Sequence, residues 1–305
     1  MYHQPVMLPQ CLDALQIDPE GIYVDATFGG GGHSLGILER IKGGRLIAFD
    51  QDEDAKKEAD KIDHRSFTFC KANFRYLKKY LKLNGITEVN GILADLGISS
   101  HQIDAPERGF STRFEGPLDM RMDRSTGSSA ETVVMTYPEE KLHKVLGMYG
   151  ELKNARTAAK EIVAARKKAG IKTTMDLKAA LKHVAAKGKE NKYFAQVFQA
   201  LRIEVNDEMK ALEDFLHQSA EVMAPNGRLV IMSYHSLEDR MVKTFLKTGK
   251  AFGDLEKDFY GNPIRPFEQV AKLVADDEEV RVNKRARSAR LRVGVRNQSA
   301  VSSRQ

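Results

Sequence analysis

Between Gly21 and Gly97 the apolar residues fall in short runs separated by amphipathic stretches. Ile22-Tyr-Val-Asp-Ala-Thr27 is a β-rich run that leads into glycines, and Ser34–Ile41 then follows a helical pattern. Gly43-Gly44 stops that helix, and Arg45-Leu-Ile-Ala-Phe-Asp50 is the next strand. Ser66–Ala72 and Gly91-Ile-Leu-Ala-Asp-Leu96 supply two more. Strands alternating with helices predict a parallel sheet with crossover connections. From Ala130 to Lys189 strand signals vanish, and Ala, Lys, Leu and Glu favour helices. The α/β style then returns. One long helix is expected over Phe194–Met223, a turn at Pro225-Asn-Gly227 and a buried strand over Arg228–Ser233. Arg290-Leu-Arg-Val-Gly-Val295 alternates at period two, which predicts a sheet-edge strand. The pattern is that of one α/β domain split by a helical insertion, with parts at 1–106 and 200–305 and the insertion at 107–199. No internal repeat is visible.

A chain of 305 residues fits this plan, since domains run to roughly 150 residues. With 42% hydrophobic and 30% charged residues it has the composition of a soluble globular protein. Cys11 and Cys70 have no CxxC spacing, so a disulfide scaffold is not expected and a reducing compartment is. No signal-peptide pattern opens the sequence, and no run approaches the ~18 apolar residues of a membrane span. A cytoplasmic protein without a membrane partner is expected, with a homodimer left open.

The candidate chemistry starts at Asp25-Ala-Thr-Phe-Gly29-Gly-Gly31-Gly32-His33-Ser34, which joins the first strand to the first helix. Glycine permits positive φ and close backbone approach, and a helix start presents free amides to an anion. Asp50 ends the next strand, where an acid commonly binds ribose hydroxyls. Together these predict a nucleoside-containing cofactor. A dinucleotide pyrophosphate would be repelled by Asp25, and Gly29-x-Gly31-x-x-Ser34 lacks the third glycine of the dinucleotide fingerprint. S-adenosylmethionine offers an ammonium to such acids instead, which favours a methyl donor over NAD. The eight histidines show no paired ligand spacing, so no metal is expected.

Asp95-Leu-Gly-Ile-Ser-Ser100-His-Gln102 stands at the carboxyl end of the fourth strand, where open α/β sheets bind ligands. Gly116-Pro-Leu-Asp119-Met-Arg121-Met-Asp123, Phe198-Gln-Ala-Leu-Arg202-Ile-Glu-Val-Asn206 and Ser236-Leu-Glu238-Asp239-Arg240 follow. With the glycine loop and the opening His3-x-Pro5-Val-Met-Leu8, these strings resemble, in order, the bacterial 16S ribosomal RNA (cytosine-N4)-methyltransferase family. The resemblance runs from about residue 3 to 296. It implies a class I methyltransferase fold, a Rossmann-like α/β sheet with an inserted all-helical domain. It also implies methyl transfer from S-adenosylmethionine to N4 of a decoding-region cytosine in the 16S rRNA of the small ribosomal subunit. Residue by residue, it implies cofactor contacts from Gly31, Gly32 and His33, ribose binding by Asp50, an adenine flanked by Phe74, and a pocket completed by Asp95 and Gln102.

The insertion departs most from the family. Leu152-Lys153 follow Tyr149-Gly-Glu151 where an acid and an aromatic are usual, Tyr193-Phe-Ala-Gln196 replaces Pro-x-x-Arg, and Glu115 replaces a common Asp.

The amine of cytosine is a poor nucleophile, because its lone pair is delocalised into the ring. It must be held in line with the methyl while acceptors draw its hydrogens. Many amino-methyltransferases use an (Asp/Asn/Ser)-Pro-Pro-aromatic loop here; this chain has Asp95-Leu-Gly-Ile. Asp95 is the candidate catalytic acceptor. An aromatic that stacks on the base must come from elsewhere, and Tyr234 and His235, just after the strand ending at Ser233, are candidates, or they close the strand end. Arg121 with Asp119 and Asp123 is either an RNA-facing loop or a structural ion-pair cluster. Arg202 reads as a packed ion-pair partner.

The net charge of +6 is unevenly spread. Gly150–Lys192 holds twelve Lys and Arg against four acids, and Arg281–Arg296 holds seven basic residues and no acid. Two such clusters on an acidic body suggest a phosphate-tracking surface. Alternatives are a methyltransferase of DNA cytosine or a small amine, and a non-catalytic RNA-binding factor retaining the pocket.

Overall fold

A computed structural model of the chain describes residues 5–298, so His3 of the opening motif lies outside the described residues. The chain forms two compact units, one from the segments up to Gly97 and from Met209 onward, the other from Ile98–Glu208. The helical unit therefore extends nine residues past the expected insertion at each end. At the start Ile98 packs into the helical core, and at the finish the helix Glu190–Asn206 runs unbroken through position 200.

The first unit is built on a seven-stranded sheet of order β3-β2-β1-β4-β5-β7-β6. The strands are β1 Ile22–Asp25, β2 Arg45–Asp50, β3 Phe67–Lys71, β4 Val89–Asp95, β5 Met223–Ser233, β6 Phe267–Val274 and β7 Arg290–Arg296. Strands β1 to β5 pair in parallel, and β7 runs antiparallel between β5 and β6. The α/β class read from the alternation holds. Apolar side chains cover both sheet faces, with Val24, Ile47, Ile92 and Ile231 in one cluster and Tyr23, Leu46, Leu93 and Val230 in another. Burial on both faces explains why these strands read as continuous apolar runs. Each such side chain removed from water contributes roughly 1.5–3 kcal/mol.

Two local expectations need correction. β7 is an interior strand, and the edge belongs to β6, which the sequence reading did not identify. The arginines of β7 imitate a solvent-facing period, yet Arg292 is buried and paired in bidentate fashion with Asp239 at 2.7 and 3.1 Å. Phe194–Met223 is not one helix either: Glu190–Asn206 and Glu208–Val222 are separated at Asp207, whose φ of 49° breaks the helix.

The same pairing changes the charge picture. In the second basic segment Arg281 contacts Glu278, Arg290 and Arg292 share Asp239, and Arg296 donates to the Pro266 carbonyl. Arg292 and Arg296 are thereby buried, whereas Arg281, Lys284, Arg287 and Arg290 remain exposed.

The second unit is helical, with a core that includes Leu142, Leu146, Ala158, Ile162, Leu177 and Val197. Arg202 forms the expected packed ion pair, bidentate to Glu208 at 2.8 and 2.9 Å. Ten of the twelve basic residues between Gly150 and Lys192 are exposed, and among the described residues none of the ten has a carboxylate within 4 Å. The other two are tied down: Arg166 donates to the Val134 and Tyr137 carbonyls, and Lys178 to that of Thr112.

Candidate active site

Four neighbouring strands end in the residues that matter. β1 closes on Asp25, β2 on Asp50, β4 on Asp95, and β5 on Ser233, with Tyr234 next along the chain. All are carboxyl ends of parallel strands, where the crossover topology leaves a crevice.

The glycine loop leaves β1 through Thr27 and Phe28. Gly29 and Gly31 take φ of 53° and 79°, and Gly31 caps the helix Gly32–Leu38. The amide of Gly29 donates to Asp50 Oδ2 at 2.8 Å, so the end of β2 fixes the loop across the crevice. A Cβ on Gly31 would stand 2.7 Å from the Phe28 ring. We expect Gly31→Ala to cost about 1–3 kcal/mol through backbone strain and this clash, and to weaken cofactor binding at least about tenfold in calorimetric titration. Unchanged melting and unchanged affinity would show that the loop shape does not matter. The missing Cβ of Gly32 also leaves room for Pro5, whose Cγ would lie 2.4 Å away.

Asp25, Asp50 and Asp95 are the electrostatic centre. Asp25 is 1% exposed; it accepts from the Ser34 hydroxyl at 2.6 Å and the Thr27 amide at 3.1 Å. Asp50 accepts from Gly29 and Asp52 amides. Asp95 accepts from the Tyr234 hydroxyl at 2.7 Å, and His33 Nδ1 lies 3.9 Å from its other oxygen. Among the described residues no Lys or Arg nitrogen lies within 4 Å of any of the three. Burial pushes Asp50 and Asp95 up to about 6 and also raises Asp25, each partly offset by its donors and, for Asp25 and Asp95, by the charge of His33. Three desolvated acids with no Lys or Arg partner suit a cationic ligand with hydroxyl donors. S-adenosylmethionine, with its sulphonium, ammonium and ribose, matches that donor set; a pyrophosphate does not.

The remaining candidates divide. Phe74 sits just beyond β3, its ring T-shaped on Phe215 at 5.2 Å, while its neighbour Asn73 donates to the Gln51 side chain beside Asp50. Gln102 belongs to the helical unit, where it forms a capping box with Ser99. His235 is the N-cap of the helix Ser236–Thr248, its Nδ1 accepting from the Glu238 amide at 3.4 Å. Arg121 chelates Asp119 at 2.7 and 3.1 Å and donates to the Arg124 carbonyl, the structural ion-pair arrangement. Three partners escaped the sequence reading: Thr27, which accepts from the Asp95 amide at 2.6 Å, Ser34, and the Val6 carbonyl that holds His33. Only Ser34 left a signal, as a hydroxyl in the first turn of the helix that follows the glycines.

Comparison with known proteins settles the relationship. The model of the MraW methylase family matches residues 1–297. The chain belongs to the MraW methylase family. It is 57% identical over 297 residues to the ribosomal RNA small subunit methyltransferase H of Cytophaga hutchinsonii, covering 97% of this chain and all of that protein. The protein of the same name from Flavobacterium johnsoniae is 53% identical over 294 residues, 96% of this chain and 97% of its own length. That of Bacteroides fragilis strain YCH46 is 51% identical over 295 residues, 96% of each chain.

This MraW-family enzyme is thus an S-adenosylmethionine-dependent methyltransferase of class I fold. No helix among the described residues is long and apolar enough to cross a membrane.

Proposed function

We propose that this methylase transfers a methyl group to the N4 amine of a decoding-region cytosine in the 16S rRNA of the small ribosomal subunit. The observation that carries the reading is the carboxylate of Asp95, fixed by Tyr234 at the end of β4 among acids already suited to the methyl donor. An exocyclic amine needs such an acceptor at the moment of attack. The names of the relatives support a ribosomal RNA substrate, and the ten exposed cations of the helical unit supply the phosphate-binding charge that RNA requires.

When bound, S-adenosylmethionine supplies an electrophilic methyl on a positively charged sulphur. Asp50 holds the ribose hydroxyls and the glycine loop the methionine end, with Gly31 and Gly32 giving the backbone its approach. Phe74 is proposed to flank the adenine. Asp95 orients the amine through one hydrogen and accepts its proton, while Tyr234 keeps the carboxylate from rotating. Because the Tyr234 hydroxyl is used on Asp95, its part is to position that group. His235 and Arg121 are committed to a helix cap and an ion pair, so their substrate-binding role has no support from their geometry.

Labelled methyl transfer to small subunits, naked rRNA and DNA tests the proposal. Transfer to ribosomal RNA in either form, with none to DNA, is expected. Equal transfer to DNA would favour the alternative cytosine methyltransferase, and no transfer would favour an RNA-binding factor.

A further inference from the structure

We propose that His33 and Asp95 form a two-station proton relay, in which the carboxylate takes the proton released by the substrate amine and the imidazole shares it. The inference rests on the reading of the site as an amine methyltransferase. It gives His33 a task beyond the cofactor loop.

His33 is buried, and its Nε2 lies 3.0 Å from the Val6 carbonyl oxygen. A carbonyl only accepts, so Nε2 carries the hydrogen, and in the neutral ring Nδ1 is a bare lone pair. That lone pair is the atom facing Asp95 Oδ2 at 3.9 Å. Asp95 Oδ1 already receives the Tyr234 hydroxyl at 2.7 Å. One carboxylate oxygen is therefore satisfied by a donor, and the other faces an acceptor. Without a proton the two acceptors hold apart; with one proton between them they form a hydrogen bond.

The other ionisable groups facing this pair are Asp25 at the end of β1, Glu238 in the helix Ser236–Thr248, Cys11 in the helix Leu8–Leu15, and Tyr234. Glu279 in the helix Asp277–Val282 binds the Met7 amide, next to the carbonyl that anchors His33. None of these is cationic: the Asp25 and Glu238 carboxylates push Asp95 up, whereas the Tyr234 hydroxyl stabilises its anion.

The step balances. The N4–CH3 bond forms as the S–CH3 bond breaks, and the sulphur keeps the bonding electrons. The nitrogen, now cationic, gives one N–H proton to Asp95 Oδ2 and returns to neutrality. The proton moves on to His33 Nδ1, leaving a carboxylate beside an imidazolium, and departs to water through Asp95 after product release. Asp95 is the partly exposed member of the pair, at 24% against 6% for His33.

Single-turnover methylation of small subunits between about pH 5.5 and 9, with cofactor affinity measured by calorimetry, provides the test. His33→Gln keeps an amide donor in reach of Val6 but has no proton site. At saturating cofactor its plateau rate should fall about 10- to 100-fold. The acid limb of its pH profile should move to lower pH, because one of two proton sites is gone. Tyr234→Phe removes a donor that stabilises the Asp95 anion, so its limb should move to higher pH. A wild-type plateau and limb in His33→Gln would overturn the relay. So would a rate loss explained wholly by lost cofactor affinity, or an unmoved limb in Tyr234→Phe. A wild-type enzyme that methylates no cytosine would remove the underlying reading first, a failure visible before any variant is compared.

Discussion

Asp95→Asn should abolish nearly all methyl transfer while making the folded protein more stable above neutral pH. The loss follows from removing the acceptor of the amine proton, a contribution of about 10²- to 10⁴-fold for a positioned general base. The gain follows from burial. Asp95 is pushed up to about 6 in the folded protein, against an unfolded value near 3.8. A carboxyl raised on folding favours the native state below the unfolded value, and that advantage is lost as pH rises through about 6. Above this window the ionised group is a penalty of order 1–3 kcal/mol, which the neutral amide does not carry. Asparagine can still accept from Tyr234 and can donate to His33 Nδ1, so the surroundings need not rearrange. For a unit of this size, thermal melting at pH 8 should rise by roughly 2–4 °C per kcal/mol gained, and at pH 5 the difference should shrink. A variant that melts lower at pH 8, or retains wild-type turnover, contradicts this account of Asp95.

The second large effect concerns the helical unit. Lys160, Lys167 and Lys168 lie on the helix Ala155–Lys168, exposed and without a carboxylate within 4 Å among the described residues. Replacing all three by alanine should weaken binding of the ribosomal RNA substrate by roughly 10- to 100-fold at about 0.1 M salt, and should flatten the slope of log affinity against log salt by about 2–3. Cofactor affinity should not change, since the helix Ala155–Lys168 carries none of the residues proposed to bind the cofactor. If the affinity and slope match the parent, this face carries no phosphate. The contrast with Arg290 and Arg292 is instructive: they look equally basic in sequence, but both serve Asp239 inside the sheet unit.

That contrast shows where sequence reading succeeds and where it stops. Strands β1, β2 and β4 were legible because burial on both faces leaves apolar runs with few ambiguities, and Asp25, Asp50 and Asp95 were legible because each ends such a run. β6 was not: its exposed positions give it no apolar alternation, so nothing marked it as a strand. The alternation of β7 was real but misleading, since a buried arginine and an exposed one share a letter. Helix breaks need backbone knowledge as well; Asp207 adopts positive φ without a glycine to announce it. Within the site, the order of residues revealed the acids but not their partners. The Tyr234–Asp95 bond joins groups 139 positions apart, and the Val6 carbonyl that fixes the His33 tautomer is backbone with no sequence signature. Gly32 was legible as a required glycine, but its packing against Pro5 was not.

The most direct test of the central claim is chemical identification of the product. Small subunits lacking the modification are incubated with the enzyme and methyl-labelled S-adenosylmethionine, the 16S rRNA is digested to nucleosides, and the label is assigned by mass spectrometry. The account predicts label on N4-methylated cytidine, confined to the decoding region and absent with Asp95→Asn. Label on a ring carbon, on another base, or on no ribosomal nucleoside would contradict it.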